Sequence, residues 1–211
     1  MKPLSTSRLG RTANWQIAAV LLMSALGIAG CASLKPVDVQ PLYSAGMGYD
    51  AVSQLKSMKI APEEVSDVVI ARQAGFSDAA CVQVMQIQRT RNQTFNVGAA
   101  IKDLMSAGVS ENLALDLERM NELGLEAGEI ETMRLAGLSE DILLAVARRH
   151  AANQPVLSGA SLAGMKNMGM RTDTLLQLAQ RGVTDSQASA ILAMRRHGAK
   201  DADILRQFAG S

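Results

Sequence analysis

The chain has 211 residues, a formal net charge of +1, 48% apolar residues and only 3% aromatics. That length allows one ordinary domain or two small ones sharing a core, and near-neutrality leaves no field to steer nucleic acid. Sparse aromatic and β-branched residues against abundant Ala, Leu, Met, Gln and Glu favour helices over sheet.

The N-terminus carries Lys2, Arg8 and Arg11 with no acid before Cys31, followed by the apolar run 17–30. This run is shorter than the roughly 20 residues a membrane-spanning helix needs, but it suits the hydrophobic region of an export signal. Residues 1–30 are therefore expected to be a cleaved signal peptide, and loss of its three cations takes the net charge from +1 to −2. The sequence Ile28-Ala29-Gly30-Cys31 resembles the lipobox of bacterial lipoproteins. The resemblance ends at Cys31 and does not extend into the rest of the chain. It implies that Ile28, Ala29 and Gly30 are recognised by the signal peptidase, that the Cys31 thiol receives a diacylglycerol, and that the freed amine takes an acyl chain such as palmitate. Several acyl chains bury enough methylene groups to hold a protein on a bilayer where one would not. Ala32 stands where family sorting rules often place Asp for the inner membrane, which points to the outer membrane and a body facing the periplasm.

After the signal, positions 31–50 contain Pro36, Pro41, Gly46 and Gly48 and are expected to form a flexible linker. The helical domain is expected over 51–211. Val65, Val68, Val69 and Arg72 fall at i, i+3, i+4 and i+7, as do Ile101, Leu104, Met105 and Gly108, and Leu175, Leu178, Ala179 and Gly182. Polar or Pro/Gly-bearing stretches at 91–99 and 151–160 divide it into blocks 51–90, 97–150 and 161–210.

One cassette recurs: Gly75-Phe76-Ser77-Asp78, Gly108-Val109-Ser110-Glu111, Gly137-Leu138-Ser139-Glu140 and Gly182-Val183-Thr184-Asp185. A left-handed Gly ends one helix, the apolar residue packs back, Ser or Thr caps the next helix, and the acid lies in its first turn where the macrodipole favours negative charge. Successive glycines, such as Gly169, Gly182 and Gly198, leave room only for short helices, which need neighbours. The fold expected is all-α: short helices in a compact multi-helix bundle or an irregular helical repeat. The bundle is preferred, because the glycine spacing is short for a regular solenoid and does not stay in phase.

Candidates for chemistry are few. Cys81 shares a helix face with Val84 and Met85, which marks it as a core residue rather than a reactive thiol. Arg148, Arg149 and His150 end one helix, and Arg195, Arg196 and His197 end another. They suit helix C-termini, and the functional alternative is one patch for an anionic partner. Met165, Met168 and Met170 are a candidate soft-metal set for Cu(I), weighed against core filling. No catalytic residue, metal site or cofactor is assigned. The reading is a lipid-anchored, non-enzymatic envelope protein that binds or scaffolds another envelope component. A periplasmic ligand or copper carrier is the alternative, and a hydrolase using His150 or His197 the third.

Overall fold

The computed structural model describes residues 36–123 and 127–208. Ile28, Ala29, Gly30 and Cys31 lie outside the described residues. Twelve helices are present among those described: α1 (Gln40–Ser44), α2 (Tyr49–Ser57), α3 (Pro62–Gln73), α4 (Asp78–Thr90), α5 (Gly98–Ser106), α6 (Glu111–Met120), α7 (Ala127–Leu135), α8 (Glu140–Ala151), α9 (Gly159–Asn167), α10 (Thr172–Gln180), α11 (Asp185–Arg196) and α12 (Asp201–Gln207). The described residues contain no strand, so the all-α expectation holds.

The cassette works as the sequence implies. At Gly75, φ is +97°, and Phe76 N–H donates to the Ala71 carbonyl, satisfying an orphan carbonyl of α3. Val109, Leu138 and Val183 make the equivalent bonds to Leu104, Met133 and Leu178, and all four apolar residues are buried. Ser77 Oγ then accepts from Ala80 N–H at 3.1 Å, and Ser110 Oγ from Leu113 N–H at 3.2 Å, starting α4 and α6. Ser139 makes no such side-chain cap.

The helices pack as a repeat rather than around a common bundle axis. Odd-numbered helices contact in the order α1, α3, α5, α7, α9, α11, and even-numbered ones in the order α2, α4, α6, α8, α10, α12. Within the first five hairpins the two rows also touch. The spacing from one helix-ending glycine to the next is thus only a half-period. The full period joins the glycines that end the odd helices, Gly46, Gly75, Gly108, Gly137, Gly169 and Gly198, all with positive φ. Their intervals are about 30 residues, the length of one helical-hairpin unit. A longer register joins every second hairpin. Arg72, Arg134 and Arg195 occupy one position, Asp78, Glu140 and Asp201 another, and the fully buried Cys81, Leu143 and Ile204 a third. Cys81 is therefore a core side chain, as its helix face implies.

The expected linker is corrected here. Its prolines and glycines do interrupt the chain, but Pro41 lies in the first turn of α1, where no N–H is needed, and Gly46 ends that helix at φ +82°. Leu42 and Met47 are buried in the core, so the folded body begins at Val37 rather than Ala51.

Close stacking demands small residues at particular points. Gly98 N–H donates to Asp67 Oδ1 at 3.1 Å, and a Cβ at Gly98 would collide with the Asp67 carbonyl, so α5 can dock on α3 only with glycine there. Gly128, in the first turn of α7, has open space around it. Gly98→Ala should therefore cost about 1–3 kcal/mol through overpacking. Gly128→Ala should stabilise by about 0.4–1 kcal/mol through reduced unfolded-state entropy. Urea denaturation midpoints check both, and equal effects would contradict the α3–α5 packing.

Candidate functional site

Most of the ionisable side chains that looked available are consumed in joining one repeat to the next. Each helix leaves N–H groups unpaired in its first turn, and here a carboxylate from the adjacent helix of the same row reaches them. Asp78 Oδ2 accepts from Gly48 N–H at 2.8 Å. Glu111 accepts from Ser77 N–H at 2.7 Å and from its hydroxyl at 2.9 Å. Glu140 does the same to Ser110 at 2.6 and 2.7 Å, and Asp185 to Ser158 at 2.9 and 3.0 Å. Glu129 accepts from Gly159 N–H.

The C-termini are joined by arginines. Arg134 Nε donates to the Gly108 carbonyl at 3.1 Å, Arg72 to that of Gly46 at 3.4 Å, and Arg195 to those of Gly169 at 2.8 Å and Met168 at 3.2 Å. Arg149 donates to the Gln180 and Pro155 carbonyls. These bonds fit the helix C-terminal reading of the two triplets and separate the arginines of the alternative, a single patch for an anionic partner. Arg149 lies at the C-terminal end of α10. Arg195 pairs with Asp201, which accepts from Arg171 N–H at the N-terminal end of α10. The two triplets are thus separated by the length of α10, about 13 Å at the usual helical rise. Arg148, Arg196 and His197 remain exposed. His150 Nδ1 lies 2.8 Å from Glu122 Oε2, a carboxylate that is itself buried.

Met165 and Met170 are buried in the core and Met168 is half-buried at the end of α9. The Met165 and Met170 thioethers fill the interior. Burial, with help from the Asp78 charge, pushes the Cys81 thiol up to about 12, so no thiolate forms near neutrality.

Two buried carboxylates on the stack behave in opposite ways. Glu64, fully buried in α3, accepts from Arg89, from Ala61 N–H at 2.7 Å and from Phe95 N–H at 2.7 Å. Burial acts to raise its pKa, but those hydrogen bonds and the Arg89 charge outweigh it and hold the carboxyl below its ordinary value. Glu118, 2% exposed in α6, has fewer partners: Gln88 Nε2 at 2.8 Å and an Arg91 guanidinium nitrogen at 3.2 Å, both on Oε1. Burial dominates over both, and its carboxyl is pushed up to about 7.

Glu118 and Gln88 line a cleft of about 810 Å³ between the α4–α5 connection and the end of α6. This is the candidate site, and sequence reasoning missed it. A signal was present: Gln88 continues the buried stripe of Cys81, Val84 and Met85, and Glu118 continues that of Ala114 and Leu117. Polar residues on two core-facing stripes at one level of the stack mark a place where the interior is left open to something hydrophilic. Comparison with family models, curated proteins and solved structures finds no match for the chain.

The titrations have signs that can be checked. Glu118 is raised from an ordinary value of 4.5 to about 7, so between those pH values the folded state keeps a proton the unfolded chain has released. Stability from this group is lost as pH rises through that window. Glu64, Asp185 and Asp201 are lowered, so their contribution is full above their ordinary values of 4.5, 3.8 and 3.8 and disappears as pH falls. Glu118→Gln removes only the first effect. The urea midpoint of this variant relative to the parent should therefore climb across the window from 4.5 to about 7, and a flat difference would contradict the assignment.

Proposed function

We propose that this protein is a lipid-anchored component of the cell envelope whose work is to hold or position another envelope protein. The observation that carries this reading is the use made of its ionisable groups. Carboxylates on helix N-termini and arginines on helix C-termini serve the stacking of hairpins, and a stack of this kind presents long helix faces and inter-hairpin clefts to a partner. The resemblance of Ile28-Ala29-Gly30-Cys31 to a lipobox supplies the anchor, with the outer membrane and a periplasm-facing body as the proposed location. No described helix is long and apolar enough to cross a membrane.

The carrier alternative loses its copper form, because Met165 and Met170 are packed in the core. The hydrolase reading has an acid beside His150 in Glu122, and no further observation favours it.

Cells expressing the intact chain and fed labelled palmitate should yield labelled protein that stays in the membrane pellet through a carbonate wash. Cys31→Ala should abolish the label and leave unprocessed precursor. Release of the parent protein by carbonate, or an unmodified Cys31 by mass spectrometry, would overturn the anchor.

A further inference from the structure

The cleft at Glu118 has the chemistry of a binding site for a cation attached to an extended chain. Its two most buried polar residues, Gln88 and Glu118, use one end of each side chain on the other. That bond takes one N–H of Gln88 Nε2 and fixes the amide, so that Oε1 is left beside the second N–H. Among the described residues neither Gln88 Oε1 nor Glu118 Oε2 has a hydrogen-bond partner, and both side chains border the cleft. Neither oxygen is enclosed as an unpaired atom, so both are open to an occupant. Both of these oxygens are acceptors, and a ligand that satisfies them must donate twice.

The rest of the lining narrows the class. Among the described residues it includes a second acid, Asp103, and no Lys, Arg or His, so these walls disfavour an anion. Arg91 is bonded to Glu118 Oε1 and is further engaged by the Arg119 carbonyl at 2.7 Å and by Asn121 Oδ1 at 3.3 Å. Among the described residues no aromatic side chain lines the space, so they offer no stacking platform for a sugar or a base. The rim instead carries the primary amides of Asn92, Gln93, Asn96 and Asn121. Each amide offers a donor and an acceptor, matching the alternating C=O and N–H of an extended main chain. A volume of about 810 Å³ also exceeds what one ammonium group fills and suits several residues of peptide.

We propose that this cleft seats an extended segment of a partner polypeptide, with one of its basic side chains on Glu118 and Gln88 and its backbone along the amide rim. The proposal deepens the scaffold reading and rests on it, since it states how the partner is gripped. Specificity comes from the buried acceptors: a partner lacking the cation leaves them desolvated and unpaired.

The test uses the full chain, isotope-labelled in detergent micelles at a pH above the Glu118 titration, with the side-chain amide signals of Gln88, Asn92 and Asn121 as reporters. Three probes are titrated: acetyl-Ala-Ala-Lys-Ala-Ala-amide, the same peptide with norleucine for lysine, and spermidine. The lysine peptide should bind at least about tenfold tighter than the norleucine peptide and than spermidine, and should shift all three amides. Glu118→Gln should erase that preference while keeping a folded spectrum. Asp103→Asn, an exposed change that leaves the core untouched, should weaken the lysine peptide by about threefold or more. Equal binding of the two peptides, binding of neither, spermidine matching the lysine peptide, or an unchanged preference in Glu118→Gln would each overturn the proposal. Crosslinking of the intact lipidated parent and of Glu118→Gln in membranes separates the two readings. A partner captured equally by both would sink the cleft and leave the scaffold standing, and no partner captured by the parent would sink the scaffold.

Discussion

The stacking of most hairpins in this fold depends on a carboxylate in the first turn of one helix accepting from the N-cap of the helix beside it, a residue distant in sequence. Helices this short, of which α4 (Asp78–Thr90) is the longest, have too little cooperative length to survive alone. Their first-turn N–H groups would otherwise need water, which a stacked neighbour excludes. Glu111 on Ser77 and Glu140 on Ser110 answer both problems with one side chain. The carboxylate satisfies the orphan donor, lies in the positive field of two helix ends rather than one, and fixes the vertical offset between hairpins. At the opposite helix ends Arg72, Arg134 and Arg195 place positive charge on exposed carbonyls. The apolar core then fills a spacing that polar bonds have already set.

This chain of N-terminal links is interrupted at α8. Ser139 occupies the N-cap position that Ser77 and Ser110 occupy, yet the next helix of its row, α10, begins with Thr172 where the others begin with an acid. Ser139 makes no side-chain cap, and the α8–α10 junction relies instead on apolar packing and on Arg149 at the far end. Below that junction the link resumes with Asp201, whose carboxyl is held below its ordinary range: burial opposes this, but bonds from Arg171 N–H, Thr174 and Arg195 outweigh it. The stack is therefore tied differently on its two sides of α8.

The local half of this design was legible in the sequence and the distant half was not. Gly75, Phe76 and Ser77 announce a helix stop and start because each acts on backbone close to itself in the chain. Asp78 is different. Helix-dipole reasoning explains why an acid suits that position, but nothing local says that its partner is Gly48. Likewise the half-period, from one helix-ending glycine to the next, was visible while the full period, which requires knowing that alternate helices are equivalent, was not. Breakers misled at Pro41 and Gly46, where a proline inside a first turn and a glycine beyond a last turn are compatible with a single-turn helix whose Leu42 enters the core. The basic triplets do end helices, as their wording implies, but closely similar wording at His150 and His197 belongs to opposite rows, whose helices terminate at opposite ends of α10, so they form no single patch.

The cleft at Glu118 follows from the same logic by exception. Where the stacking bonds are complete, a buried acid such as Glu64 has both guanidinium nitrogens of Arg89 and two backbone N–H groups around it, and it ionises readily despite desolvation. Glu118 occupies a similarly buried site with only Gln88 and Arg91 to support it, both on one oxygen, and desolvation wins. Here two acceptors stay open beside the extended connection from Thr90 to Gly98 that lengthens the repeat between Gly75 and Gly108. That connection borders the cleft through Asn92, Gln93, Thr94, Asn96 and Val97, and aliphatic side chains in place of Gln88 and Glu118 would have closed it by collapse. Glutamine and glutamate instead hold it open and polar, a costly arrangement for a free protein, and one that becomes favourable when a donor-bearing chain enters.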